Sequence, residues 1–192
     1  MKHTLVLLST AAAAMLAVSS AQAKDLTGAF VNLGAGAARY HATVDGYDIG
    51  HDHDTAFILN AGYRTQFIGF EGGYTNLGGV KGRDGDLSAK LTGDGWTAGI
   101  NGHFNPTKRW YISARGGAFV WKVHGKLIST DPADSYTLKA SRQSMDWYAG
   151  VGTGVDINRN WSLGVHFDYY KIAKDQVDIG NRVFTARAEY RF

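Results

Sequence analysis

The chain has 192 residues, 44% of them hydrophobic and 19% charged, with 25 Gly, 2 Pro, no Cys and a formal charge of +3. That length suits one domain, and the lack of Cys excludes a disulfide scaffold, a Cys-ligated metal and thiol chemistry. A 12% aromatic share argues against disorder, and the mild positive excess carries no polybasic run of the kind that nucleic-acid binding uses.

The N-terminus reads as a secretory signal peptide, residues 1–23. Lys2 supplies the positive start, Leu5 to Val18 is apolar or small throughout, and Ala21-Gln22-Ala23 is a small-x-small cleavage site. The apolar run is too short for the ~20 residues of a membrane-spanning helix. Cleavage after Ala23 leaves 169 of the 192 residues and takes only Lys2 among the charges. The mature chain is expected to form one barrel domain, residues 24–192, with no residues to spare for a periplasmic domain.

From there, alternation with period two repeats eight times. The expected strands are Ala29–Val44, Thr55–Arg64, Phe67–Asn76, Gly95–Asn105, Trp110–Val123, Asp146–Asn158, Trp161–Lys171 and Arg182–Phe192. Most match the 9 to 11 residues of a tilted membrane-crossing strand. One face of each is free of charge, as in Val31, Leu33, Ala35 and Ala37, or Trp161, Leu163, Val165, Phe167 and Tyr169. The other face carries Gly and polar groups, including Arg64, Glu71, Arg115, Asp156, His166, Asp168, Arg187, Glu189 and Arg191.

Aromatic residues bound the apolar face. Trp96, Tyr74, Trp147 and Tyr169 stand at one end, and Tyr63, Trp110, Trp161, Tyr190 and Phe192 at the other. Two girdles around an apolar band are what a bilayer favours. Short connections near 64–66, 105–109 and 158–160 alternate with long ones at 45–54, 77–94, 124–145 and 172–181. Short periplasmic turns and long external loops are the outer-membrane pattern. The expected fold is all-β: an eight-stranded antiparallel up-and-down transmembrane β-barrel. Both termini then lie in the periplasm.

Gly69-Phe70-Glu71-Gly72-Gly73-Tyr74 with Leu77-Gly78, Arg115-Gly116-Gly117-Ala118-Phe119-Val120-Trp121, Tyr148-Ala149-Gly150-Val151-Gly152 and Glu189-Tyr190-Arg191-Phe192 together resemble the OmpA-type transmembrane barrel, within the small eight-stranded outer-membrane barrels that include OmpX-like and opacity-type proteins. The resemblance covers essentially the whole mature chain, without the peptidoglycan-binding domain of OmpA proper. It implies an interior gate in which Glu71 pairs with inward basic residues, here Arg115 and the position of His166. It also implies that the aromatic C-terminus ending in Phe192 is read by the barrel-insertion machinery.

An eight-stranded barrel is filled by its own side chains, so Glu71, Asp156, Asp168 and Glu189 are expected to pair with Arg64, Arg115, Arg187 and Arg191. Catalysis is not expected. Ser162, His166 and Asp168 share a strand face, but Ser162 and His166 stand roughly 13 Å apart at the rise of a strand, too far for a lipid A-modifying triad.

The first external loop holds Asp48, His51, Asp52, His53 and Asp54, a generic spacing read as a solvated acidic loop and not a metal site. Lys81, Arg83, Lys90, Lys126, Lys139 and Arg142 of the next two could meet lipopolysaccharide phosphates or a host surface. No cofactor and no nucleic acid are expected. The partners are outer-membrane lipid and lipopolysaccharide, and the chain is expected to be a monomer. The functional expectation is envelope integrity or surface interaction through the loops, with a narrow ion or water pore as the alternative.

Overall fold

The structure is a computed structural model that describes residues 27–44, 47–84, 87–129, 136–174 and 177–192. The expected signal peptide and Asp86, within the long connection expected at 77–94, lie outside them. Eight strands run in order: β1 Gly28–Val44, β2 Tyr47–Arg64, β3 Ile68–Asp84, β4 Leu87–Phe104, β5 Trp110–Ser129, β6 Tyr136–Asp156, β7 Trp161–Lys174 and β8 Val177–Arg191. Each pairs antiparallel with its chain neighbour, and β1 pairs with β8, so the sheet closes into a barrel. Among the described residues no helix is long and apolar enough to cross a membrane.

Parity assigns the faces as the sequence predicts. Leu33, Phe57, Leu59, Ile68, Phe70, Ile100, Val151 and Val165 are exposed on the outside. Arg64, Glu71, Asn101, Arg115, Asp156, Asp168, Arg187 and Arg191 are buried inside. Inward glycines make room for the large groups. Gly150 stands opposite Asp168 and Gly152 opposite His166 in the β6–β7 register, and a Cβ on either would collide with the facing side chain.

The long loops expected at 45–54, 77–94, 124–145 and 172–181 are a different object. Most of their residues continue the strands, which reach 14 to 21 residues each. Beyond the outer girdle, polar residues and Gly occur on both faces of these segments, so alternation fades although the backbone ladder goes on. The closure does not go on equally. The β2–β3 ladder ends at Phe57 and Asn76, and the β6–β7 ladder at Tyr148 and Tyr170. The β3–β4, β4–β5 and β5–β6 ladders extend to Asp84, Leu87, Ser129 and Tyr136, and the β7–β8, β8–β1 and β1–β2 ladders extend to Lys174, Val177 and Val44. The barrel thus rises into two four-stranded sheets, β3 to β6 and β7 through β8 and β1 to β2. A bulge at Leu77 re-registers β3 on β4 where the rise begins.

Candidate functional site

The lumen has three tiers. The middle tier centres on Arg115 of β5. Its Nη1 donates to Glu71 Oε1 of β3 at 3.0 Å, and its Nε donates to Asp168 Oδ1 of β7 at 2.8 Å. Its Nη2 donates to the Tyr170 hydroxyl at 2.6 Å. Tyr148 Oη donates to Glu71 at 2.8 Å, and its ring lies 5.0 Å from the guanidinium carbon. Arg187 of β8 donates to the other oxygen of Asp168 and to Thr185 Oγ1. One carboxylate therefore serves two guanidinium groups.

The tier next to the short turns is also built on ion pairs. Arg64 forks onto Glu189 with two bonds of 3.0 Å and gives its Nε to Asn101 Oδ1 at 2.7 Å. Arg191 pairs with both Asp156 and Glu189, and Asn105 Nδ2 donates to Asp156 at 2.6 Å. His103 lies 3.6 Å from Asp156 and stacks on Tyr111 at 4.2 Å. A chamber of about 30 Å³ separates the tiers, walled by Arg64, Glu71, Arg115, His166, Arg187 and Glu189. That is room for about two waters. His166 forms no ion pair among the described residues; its ring sits 6.5 Å from Tyr111.

The outer tier is largely apolar, where parity predicts Gly and polar groups. Ala38, Ala56, Ile58, Leu77, Phe119, Trp121, Ile172 and Val183 pack as one buried cluster over Tyr148 and Tyr170. Parity concealed it because the outward neighbours on β5, Ala118 and Val120, are apolar too. This tier lies between the charged chamber and the extension.

The interior does not form a triad. Ser162 donates to Asp156 and receives a bond from Arg191, and Asp168 is occupied by two arginines. Among the described residues no group of three His, Cys, Asp or Glu could hold a metal. His53, from the expected acidic loop, lies on β2 opposite Arg39.

Outside, Tyr74 meets Trp96 edge-on at 5.4 Å, and Trp147 meets Tyr169 at 5.3 Å. At the other end Trp161, Tyr190 and Phe192 form a chain with centroids 5.0 Å apart, and Trp110 Nε1 donates to Thr153 at 2.7 Å. From Trp161 to Tyr169 a strand covers about 26 Å along its length, or about 20 Å of height at the usual tilt, and the girdle rings at either end bring this to the scale of the apolar band of an outer-membrane barrel.

The extension adds a feature that parity alone could not locate. In register, Lys81 of β3 stands opposite Lys90 of β4, Lys90 opposite Lys126 of β5, and Lys126 opposite Lys139 of β6. Four lysine positions cross four strands in one straight row of about 14 Å. Lys126 and Lys139 are exposed and form no ion pair among the described residues.

Residues 8–192 match the outer membrane protein beta-barrel domain family. No curated protein matches the chain at the sequence level. Among solved structures, Ail, the attachment invasion locus protein of Yersinia pestis, in complex with the heparin analogue sucrose octasulfate, superposes with a TM-score of 0.57 at 18% identity, over 85% of this chain and 99% of that one. Neisserial surface protein A gives 0.56 at 18% identity, over 86% of this chain and 99% of that one. At such identities the likeness is one of fold.

Proposed function

Since the chain belongs to the outer membrane β-barrel family, and so is an outer-membrane protein, we propose that it works at the cell surface through its extension, with the lumen as an internal strut. The signal peptide delivers it across the inner membrane and is cleaved after Ala23, both termini face the periplasm, and the two four-stranded sheets stand outside.

The observation that carries this reading is the lysine row Lys81–Lys90–Lys126–Lys139. Like charges directly opposite one another destabilise a sheet. The exposed pair Lys126–Lys139 is therefore a cost without a partner, and a binding site with one. The partner chemistry is a sulfated or phosphorylated surface polymer whose charges repeat along its length. That Ail was solved with a heparin analogue supports the class of ligand, while the row in this chain supports the place. The apolar tier over ion-paired charges supports a lumen that holds the barrel rigid and conducts nothing. The bonding of Ser162 and Asp168 to other partners supports a role without catalysis.

The test is retention of the folded barrel on immobilised heparin. Wild type is expected to bind, and Lys126→Glu with Lys139→Glu to lose binding at least about tenfold, the scale of two charge-assisted contacts. Equal retention of both proteins would overturn the reading.

A further inference from the structure

A second cationic row lies on the other sheet, at a different height. Arg39 of β1 stands directly opposite Arg182 of β8, and Arg182 stands directly opposite Tyr169 of β7. Tyr169 belongs to the outer girdle through its ring contact with Trp147 at 5.3 Å. The two arginines thus sit at the level of the girdle itself. Their height differs from that of the lysine row, whose Lys126 is six residues, about 20 Å along the strand, beyond Val120, the partner of Trp96.

Immediately below the pair comes the apolar belt. Ala37 and Phe184 are the next outward residues on the same two strands, they stand opposite each other, and Phe184 packs on Phe167 at 4.7 Å. Both arginines are exposed, and neither forms an ion pair among the described residues. His53 of β2 continues the row on the far side of Arg39.

Two arginines without an ion pair among the described residues thus occupy partnered positions one strand spacing, about 4.8 Å, apart. In water they repel. A phosphate monoester placed between them accepts from both forks at once, and its acyl chains lie along Ala37 and Phe184. Arginine is the side chain whose planar fork suits such bidentate contacts.

We propose that Arg39 and Arg182 form a binding site for a phosphate of lipid A in the outer leaflet, and that the barrel carries a bound lipid A molecule there. This site rests on the orientation given above, with the β1–β2 and β7–β8 tips outside. It is independent of the lysine row, which is too far from the apolar belt for a lipid anchored in the bilayer.

The test uses the full mature barrel folded into nanodiscs, with bound lipid counted by native mass spectrometry. Three additives are compared in a zwitterionic bilayer: bisphosphorylated lipid A, the same lipid A stripped of phosphate, and phosphatidylglycerol. Wild type is expected to retain about one bisphosphorylated lipid A per barrel and little of the other two. Arg39→Gln with Arg182→Gln is expected to lose that retention at least about tenfold, while the single Arg39→Lys keeps part of it. Heat-dependent gel mobility checks that each variant is folded; both positions are exposed, so the fold should hold.

As a control, Arg109→Gln with Arg159→Gln, in the short turns at the other rim, should keep full retention. If that control loses lipid A and the Arg39–Arg182 variant does not, the orientation is reversed. Undiminished retention by both variants, or equal retention of phosphatidylglycerol by wild type, would overturn the lipid A site.

Discussion

Asp146 of β6 accepts the backbone N–H of Ala173 of β7 at 2.9 Å, above the point where the ladder between those strands has ended. The same carboxylate takes the indole N–H of Trp121 at 2.9 Å. The other split is clipped in the same way: Asp54 of β2 accepts the N–H of Gly79 of β3 at 2.7 Å. An aspartate thus replaces the missing ladder bond at the foot of each seam, and satisfies an N–H that the parting of the sheets leaves without a strand partner. A charge-assisted bond of this kind contributes about 1.5–3 kcal/mol.

Asp146→Ala should therefore open its seam without unfolding the barrel. Hydrogen exchange at Ala173 is expected to speed up at least about tenfold, while exchange at Arg115 and Asp168 in the barrel wall stays as it was. Asp146→Asn, whose amide oxygen still accepts, should fall between the two. Unchanged exchange at Ala173 in the alanine variant would show that the seam is held by something else.

Asp168 should be the least replaceable residue of the lumen. It is fully buried and answers both Arg115 and Arg187. Removing one partner of a buried ion pair costs about 3–5 kcal/mol, because the charge left behind has neither water nor a counterion. Asp168→Asn is expected to lower the stability of the folded barrel in vesicles by that order, measured by urea unfolding. The double change Glu71→Gln with Arg115→Met removes a buried anion and cation together. It should cost less than Arg115→Met and Glu71→Gln summed.

The sequence made these charges legible, and the reason is geometric. Inside the membrane every second residue meets lipid, so parity alone separated Glu71, Arg115, Asp168, Arg187 and Glu189 from Trp96, Trp147 and Trp161. It could not say which carboxylate meets which arginine, because that depends on the stagger of the strands. Nor could it find the apolar tier. Ala118-Phe119-Val120-Trp121 is apolar on both faces, and period two carries no signal there. The extension reads as loop in the sequence for the opposite reason: in Lys122 to Ser129 and Tyr136 to Gln143 charged and polar residues occur on both faces. The lysine row needs register across four strands, a relation no single segment contains.

The apolar tier predicts how the lumen responds to loss of its charges. Leu77 and Phe119 are fully buried above the Glu71–Arg115 pair. If that pair were the gate, Glu71→Gln alone would admit ions. With an apolar layer in series, ions still meet a dry constriction. In planar bilayers, wild type and Glu71→Gln are both expected to be silent. Glu71→Gln combined with Leu77→Gly and Phe119→Gly should give channel events. Events from Glu71→Gln alone would restore the gated-pore reading.

Two inward glycines of neighbouring strands should behave oppositely when given a methyl group. A Cβ at Gly117 of β5 would meet the carbonyl of Ala98 and the Cα of Gly99, which are backbone atoms of β4 locked into the ladder. Backbone in a closed sheet has no rotamer to change, so the clash must be relieved by shifting a strand, at about 1–3 kcal/mol. A Cβ at Gly93 of β4 meets nothing within 4 Å. There the substitution only narrows the freedom of the unfolded chain, which adds about 0.4–1 kcal/mol of stability. Gly117→Ala is thus expected to lower the unfolding midpoint and the yield of folded barrel, and Gly93→Ala to raise the midpoint slightly. Both are read from heat-dependent gel mobility in the same vesicles. If the two variants moved together, the inward glycines would be set by strand propensity, for which both positions count alike, and not by the close approach of β5 to β4.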